Sequence, residues 1–150
     1  MSAPKSVTKV TKNGLEFTSN VDACQYTLRE LARAALRDVG KFVCRRFKDS
    51  YYSTFKKKTG NVGRFTQYWV RFKYEDFPNM QVGLKPNAFY GGFQEVGTSK
   101  SPKFGLLQSA VEDNIAEIIR IESQYLSALS GEAEALALIS EEDYEGGGDD

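Results

Sequence analysis

Residues 88–114 read AFYGGFQEVGTSKSPKFGLLQSAVEDN: an aromatic run, a glutamate, a Gly97-Thr98 turn, a short basic loop and the start of an apolar-striped segment. The run from Phe89 to Val96 predicts a strand, broken or bulged at Gly91-Gly92, because two residues without side chains weaken a ladder. Gly97 to Lys103 predicts a loop. From Gly105 to Leu129 the residues Leu107, Val111, Ile115, Ile118, Ile121, Tyr125 and Leu129 recur at spacings of three and four, which predicts a long helix. Leu106, Ile119 and Leu126 widen its apolar stripe beyond what one sheet face covers, so this helix is either deeply buried or shared with a second subunit.

Upstream, Phe65 to Glu75 alternates, with Thr66, Tyr68, Val70, Phe72 and Tyr74 on one face and Gln67, Trp69, Arg71 and Lys73 on the other. Glu75 to Asn79 is a turn, and Met80, Val82 and Leu84 mark the core side of a returning strand. With the Phe89 run these segments predict an antiparallel meander. Further upstream, Cys24, Leu28, Leu31, Ala35, Val39 and Phe42 stripe an amphipathic helix that begins after Ser19 or Asn20 and runs to about Lys48. Arg29, Arg33, Arg37, Lys41 and Arg45 form a basic row on another side of it. Val7 to Phe17 surrounds an Asn13-Gly14 pair, a turn signal that predicts a small hairpin or a strand entering the first helix. Between Asp49 and Arg64 neither periodicity holds, which predicts a long loop or extended arm.

The fold class expected is therefore α+β: a meander of three to four antiparallel strands packed against two long helices, with a long basic-aromatic loop. Residues 1–130 form one domain, and residues 131–150 form an acidic tail. A chain of 150 residues is long enough to bury a conventional core. Hydrophobic residues at 41% and charged residues at 27% are ordinary for a globular chain. No run approaches the roughly 18 apolar residues that span a bilayer, and Met1 to Lys12 lacks the apolar centre of a secretory signal, so a cytoplasmic site of synthesis and use is expected.

The chain contains no histidine, which removes Ser-His-Asp and Cys-His activation and most zinc chemistry. Cys24 and Cys44 lie twenty residues apart on one expected helix, about 30 Å at 1.5 Å per residue, so they cannot bridge each other and read as reduced, buried small residues. An enzyme would need a pocket around Glu75, Asp76 or Glu95, and nothing in the spacing gathers these. The net charge of zero hides an asymmetry: ten basic residues and one acid from Lys41 to Lys73, against eight acids and no base from Gly131 to Asp150.

The stretch first quoted also carries a resemblance. Tyr90, Glu95-Val96-Gly97-Thr98, Ser99-Lys100 and then Leu107, Ala110, Val111, Glu112 and Asn114 resemble a motif of the small phage tail-component family, the tail-completion or head-to-tail joining proteins of long-tailed phages. Thr59-Gly60 with Val62 echoes a second feature of that family. Gly105-Leu106 stand where Pro-Phe is usual, Gly63 and Phe65 replace a basic residue and a serine, and the acidic extension is no part of the pattern.

The resemblance implies a structural virion protein of the neck, assembled in the host cytoplasm. It would form a homo-oligomeric ring, a hexamer or dodecamer, around the channel through which DNA passes without sequence-specific binding. Its neighbours would be connector and tail-tube or terminator proteins, and it implies no enzymatic activity, no cofactor and no membrane. Candidate contact residues are Lys56, Lys57, Lys58 and Arg64 with Tyr51, Tyr52 and Phe55 in the loop, and Glu95, Thr98 and Lys100 at the turn. Without a partner, Gly97 satisfies a positive φ, Thr98 bonds the turn backbone and Glu95 pairs with a surface cation. The competing reading is a small nucleic-acid-binding module that uses the basic-aromatic loop 51–73, where cations alternate with rings that bases stack on.

Overall fold

The computed structural model describes residues 5, 7–10, 16–19, 21–56, 60–71 and 78–131. At the amino terminus β1 (Val7–Val10) pairs antiparallel with β2 (Glu16–Ser19), Val7 opposite Ser19 and Val10 opposite Glu16, so the expected hairpin forms. The Asn13-Gly14 pair lies outside the described residues, and a two-residue turn there would set Val10 opposite Phe17 instead. The organising element is α1 (Val21–Thr54), 34 residues long and about 51 Å at the standard rise. Asp22 lies in its first turn, where the helix dipole favours an acid. Leu31, Ala35, Val39, Val43, Phe47 and Tyr51, each four apart, are buried along it and form the spine of the core.

Against that spine pack two layers. One is an antiparallel pair, β3 (Thr66–Arg71) and β4 (Asn79–Leu84), with Thr66 opposite Leu84 and Arg71 opposite Asn79. Met80, Val82 and Leu84 turn toward the core, as their alternation predicts. The approach of helix to sheet is close: a Cβ added at Gly40 would sit 2.6 Å from the Tyr68 ring. The other layer is α4 (Leu106–Glu112) and α5 (Ile115–Ser127), both in contact with α1. Tyr125 donates its hydroxyl hydrogen to Asp38 at 3.0 Å and ties α5 to α1.

Three expectations about the elements need correction. The run from Phe89 to Val96 is no strand: a 3-10 turn over Pro86–Ala88 leads into α3 (Tyr90–Val96), so the meander of three to four strands is replaced by the two-stranded β3–β4 pair. The stretch Asp49 to Arg64 is mostly helical, because α1 continues to Thr54 and α2 (Asn61–Phe65) precedes β3 directly. Tyr51 and Phe55 extend the core spine by one more step of four each, and that burial outweighs the weak helix propensity of Ser50, Ser53 and Thr54. The second long helix is broken between Glu112 and Ile115, where the Asn114 side chain donates to the Ala110 carbonyl at 3.1 Å and closes the turn.

Of the two cysteines expected to be buried only Cys44 is; Cys24, near the start of α1, is exposed, a correction to that reading. In the first turns of α1, Val21, Cys24, Gln25 and Leu28 line an open surface. The acidic segment 132–150 and the turn 72–77 lie outside the described residues. Among the described residues, no helix is long and apolar enough to cross a membrane.

Candidate functional site

The motif of residues 95–108 folds as a closed loop seated on the start of α4. Gly105, in the left-handed conformation, precedes that helix and supplies no side chain to cap it. Glu95 does so from across the loop: the backbone N–H groups of Leu107 and Gln108 donate to its carboxylate at 2.9–3.0 Å. The first turn of a helix exposes N–H groups with no internal partner, so a carboxylate placed there satisfies both donors and meets the positive end of the dipole. Glu95 therefore has a different partner from the surface cation its sequence context predicts.

The base of the loop is pinned by Phe104 N–H to the Gln94 carbonyl at 3.0 Å and Gly105 N–H to the Glu95 carbonyl at 3.2 Å. Its tip is a tight turn in which Thr98 and Ser101 exchange backbone hydrogen bonds, and the Lys100 N–H donates to the Thr98 hydroxyl oxygen at 3.3 Å. Gly97 takes φ +85°, as expected, and a Cβ there would also sit 2.9 Å from the Lys103 backbone nitrogen. Thr98 and Lys100 are exposed on this turn.

The loop docks onto the carboxyl end of α1. The Tyr51 hydroxyl donates to Gln94 Oε1 at 3.0 Å, and the Phe55 ring stacks between Tyr51 at 4.6 Å and Phe104 at 4.9 Å. Two groups of candidate residues that lie forty positions apart are thus neighbours. Gln94 and Phe104, which make the join, were absent from the candidates; nothing in their spacing distinguishes them from other loop residues. Tyr51 is buried, and burial pushes its phenol above its ordinary pKa range, so it is a core residue and no exposed stacking ring. Tyr52 leans over Gly63 and donates to the Gly60 carbonyl at 3.3 Å. Lys56 is exposed, and the Arg64 guanidinium lies 5.7 Å from the Phe65 ring centre. Lys57 and Lys58 lie outside the described residues.

Among the described residues, α3 and α5 each present an open apolar surface besides the one at the start of α1. Phe89, Phe93 and Val96 lie along one face of α3 and are 67%, 56% and 74% exposed. The two phenylalanines meet edge to face at 6.0 Å and form a single aromatic knob. On α5, Ile118, Ile121 and Tyr125 pack inward, while Ile115, Ile119 and Leu126 form a second stripe that is 50–55% exposed. Among the described residues no group of three or more His, Cys, Asp or Glu is placed to hold a metal ion. Comparison with known proteins finds no family model that matches, no similar curated protein and no similar solved structure.

Proposed function

We propose that this chain is a structural subunit of a phage neck, a tail-completion or head-to-tail joining protein that forms a ring around the DNA channel and docks tail to head. One observation carries the reading: among the described residues two unlike apolar faces on different elements are exposed, the aromatic knob of α3 and the outer stripe of α5. A ring needs a heterologous interface, in which one patch of a subunit meets a different patch of the next and the rotation closes. A single self-complementary patch would give a dimer. The knob and the stripe supply the two unlike patches.

The motif loop supports the same reading from the structural side. Its residues close a turn and cap a helix, so the resemblance they carry describes a framework that presents α3 and α4–α5 in fixed relation, with Glu95 as its clasp. The exposed Lys56 at the end of α1 and Thr98 and Lys100 at the loop tip belong to the rim, where charge steers encounter with acidic neighbours. The role is one of assembly, and it requires no cofactor and no reaction of its own. Particle images of the purified chain, alone and mixed with connector and tail-tube proteins of a long-tailed phage, test it. Closed rings are expected; a steady monomer in both samples would overturn the proposal.

A further inference from the structure

Between α1 and β3 lies an open cleft of about 360 Å³. Lys41, Cys44, Arg45 and Lys48 form its helical wall and Thr66, Gln67 and Tyr68 its strand wall, and among the described residues no carboxylate lines it. Arg45 stands about one helical turn beyond Lys41, and Lys48 just under one turn beyond Arg45, so the three cations follow one another at roughly 4.5–6 Å along the axis. Concave surfaces lined by one sign of charge focus the field more strongly than the same charges spread on a convex face.

Tyr68 faces α1, whereas Gln67, at the rim of the cleft, lies with Trp69 and Arg71 on the opposite, outer face of the β3–β4 pair. Trp69 is 40% exposed. It lies over Gly83 on the neighbouring strand, where an added Cβ would be 3.4 Å from its ring, so the indole rests against bare backbone and turns its other side outward. Beside it Gln81 and Arg71 are exposed and supply further polar and cationic groups.

We infer that this cleft and sheet face bind a single strand of nucleic acid, with phosphates on Lys41, Arg45 and Lys48 and an unstacked base on Trp69. Cations that track a backbone beside an aromatic ring that takes bases are the two parts single-strand sites combine. A duplex keeps its base faces inside the stack and leaves Trp69 nothing to stack on. An acidic polypeptide would satisfy the cations and leave the indole unused. The inference does not depend on ring formation, because every residue it uses lies within one chain. It also moves nucleic-acid chemistry away from residues 51–55, whose Tyr51 ring is committed to the core.

Trp69 is the only tryptophan, so the full-length chain reports on its own site by fluorescence. Titration with an oligothymidylate of about 12 nucleotides is expected to quench it saturably. Three phosphate contacts give a log affinity against log salt slope of about −2, and Arg45→Ala reduces that slope by about 0.7. With a labelled oligonucleotide followed by anisotropy, Trp69→Leu weakens binding about tenfold at unchanged slope, and Trp69→Phe recovers most of the loss. Arg45 is exposed, so its variant keeps the wild-type circular dichroism. Binding of polyglutamate as tight as that of the oligonucleotide would assign the cleft to an acidic protein segment and overturn the inference. No binding at about 50 mM salt, or an Arg45→Ala variant identical to wild type, would overturn it equally.

Discussion

Glu95 shows how one side chain turns a sequence motif into a framework. Glu95→Ala strands the N–H groups of Leu107 and Gln108, and loss of a helix cap costs about 0.5–2 kcal/mol. At roughly 2–4 °C per kcal/mol for a domain of this size, the melting temperature falls by several degrees, and Glu95→Gln, which keeps an acceptor, falls between. A carboxylate that only paired with a surface cation would leave melting unchanged on removal. Gly97→Ala meets both a left-handed φ and the Lys103 backbone, and about 1–3 kcal/mol is expected. Because both residues close one loop, calorimetry of the double variant is expected to show less than the sum of the single losses. Cys44 gives a prediction in pH. Burial raises its folded pKa, so the unfolded thiol ionises first, from about pH 8.5, while the folded thiol stays protonated. The unfolded state then binds fewer protons, and stability present below that pH is lost as pH rises toward the folded value. Tyr51, raised in the same sense, adds a second decline from about pH 10. Urea midpoints between pH 7.5 and 10.5 are expected to fall for the wild type, and Cys44→Ala removes the first stage of the fall; an unchanged profile would contradict the assignment.

Among the elements, those with strong periodicity were legible and those decided by tertiary contact were not. The stripe of α1 and the alternation of β3 and β4 follow from residue spacing alone, because burial on one face imposes it. Phe89 to Val96 misled: its aromatic and glycine content favours neither state, and Phe89, Phe93 and Val96 satisfy helical spacing as well as a broken strand. Contact decides it, since Gly91 lies where any Cβ would run into the Leu84 side chain, and the helix brings that bare position against β4. The candidate site was half legible for the same reason. Local chemistry placed Gly97 and Thr98 correctly, but the partner of Glu95 lies twelve residues ahead and the meeting of Tyr51 with Gln94 spans forty-three. The excess apolar residues of α5 read as either burial or sharing; Ile118, Ile121 and Tyr125 are packed inward, and the adjacent stripe of Ile115, Ile119 and Leu126 is exposed. Ile121→Glu places an unpaired charge in the core and is expected to abolish the cooperative melting transition. Ile119→Glu, one step round the helix on the open stripe, is expected to change stability by less than about 0.5 kcal/mol while raising solubility. Equal melting temperatures for the two variants would refute the division of α5 into a core side and a free side.

At the level of the whole molecule, the question is whether the two open faces belong to one contact or to two. In a ring built as proposed, the α3 knob of each copy meets the α5 stripe of the next, so every copy uses both faces. Phe93→Glu spoils the knob and leaves the stripe intact; Ile119→Glu does the reverse. Each variant alone is expected to be a folded monomer, because burying a carboxylate against apolar side chains disfavours every copy of the contact. Mixing them restores one good pairing, the intact knob of the Ile119→Glu chain on the intact stripe of the Phe93→Glu chain. The dimer so formed carries only spoiled faces at its ends and cannot grow. Mass photometry of an equimolar mixture is therefore expected to give heterodimers and nothing larger, while wild-type chains proceed to closed assemblies. If instead knob met knob, Phe93→Glu would stay monomeric in every mixture and Ile119→Glu would dimerise by itself. That pattern would replace the heterologous ring with a two-fold pair and would remove the physical basis for placing this chain around a channel.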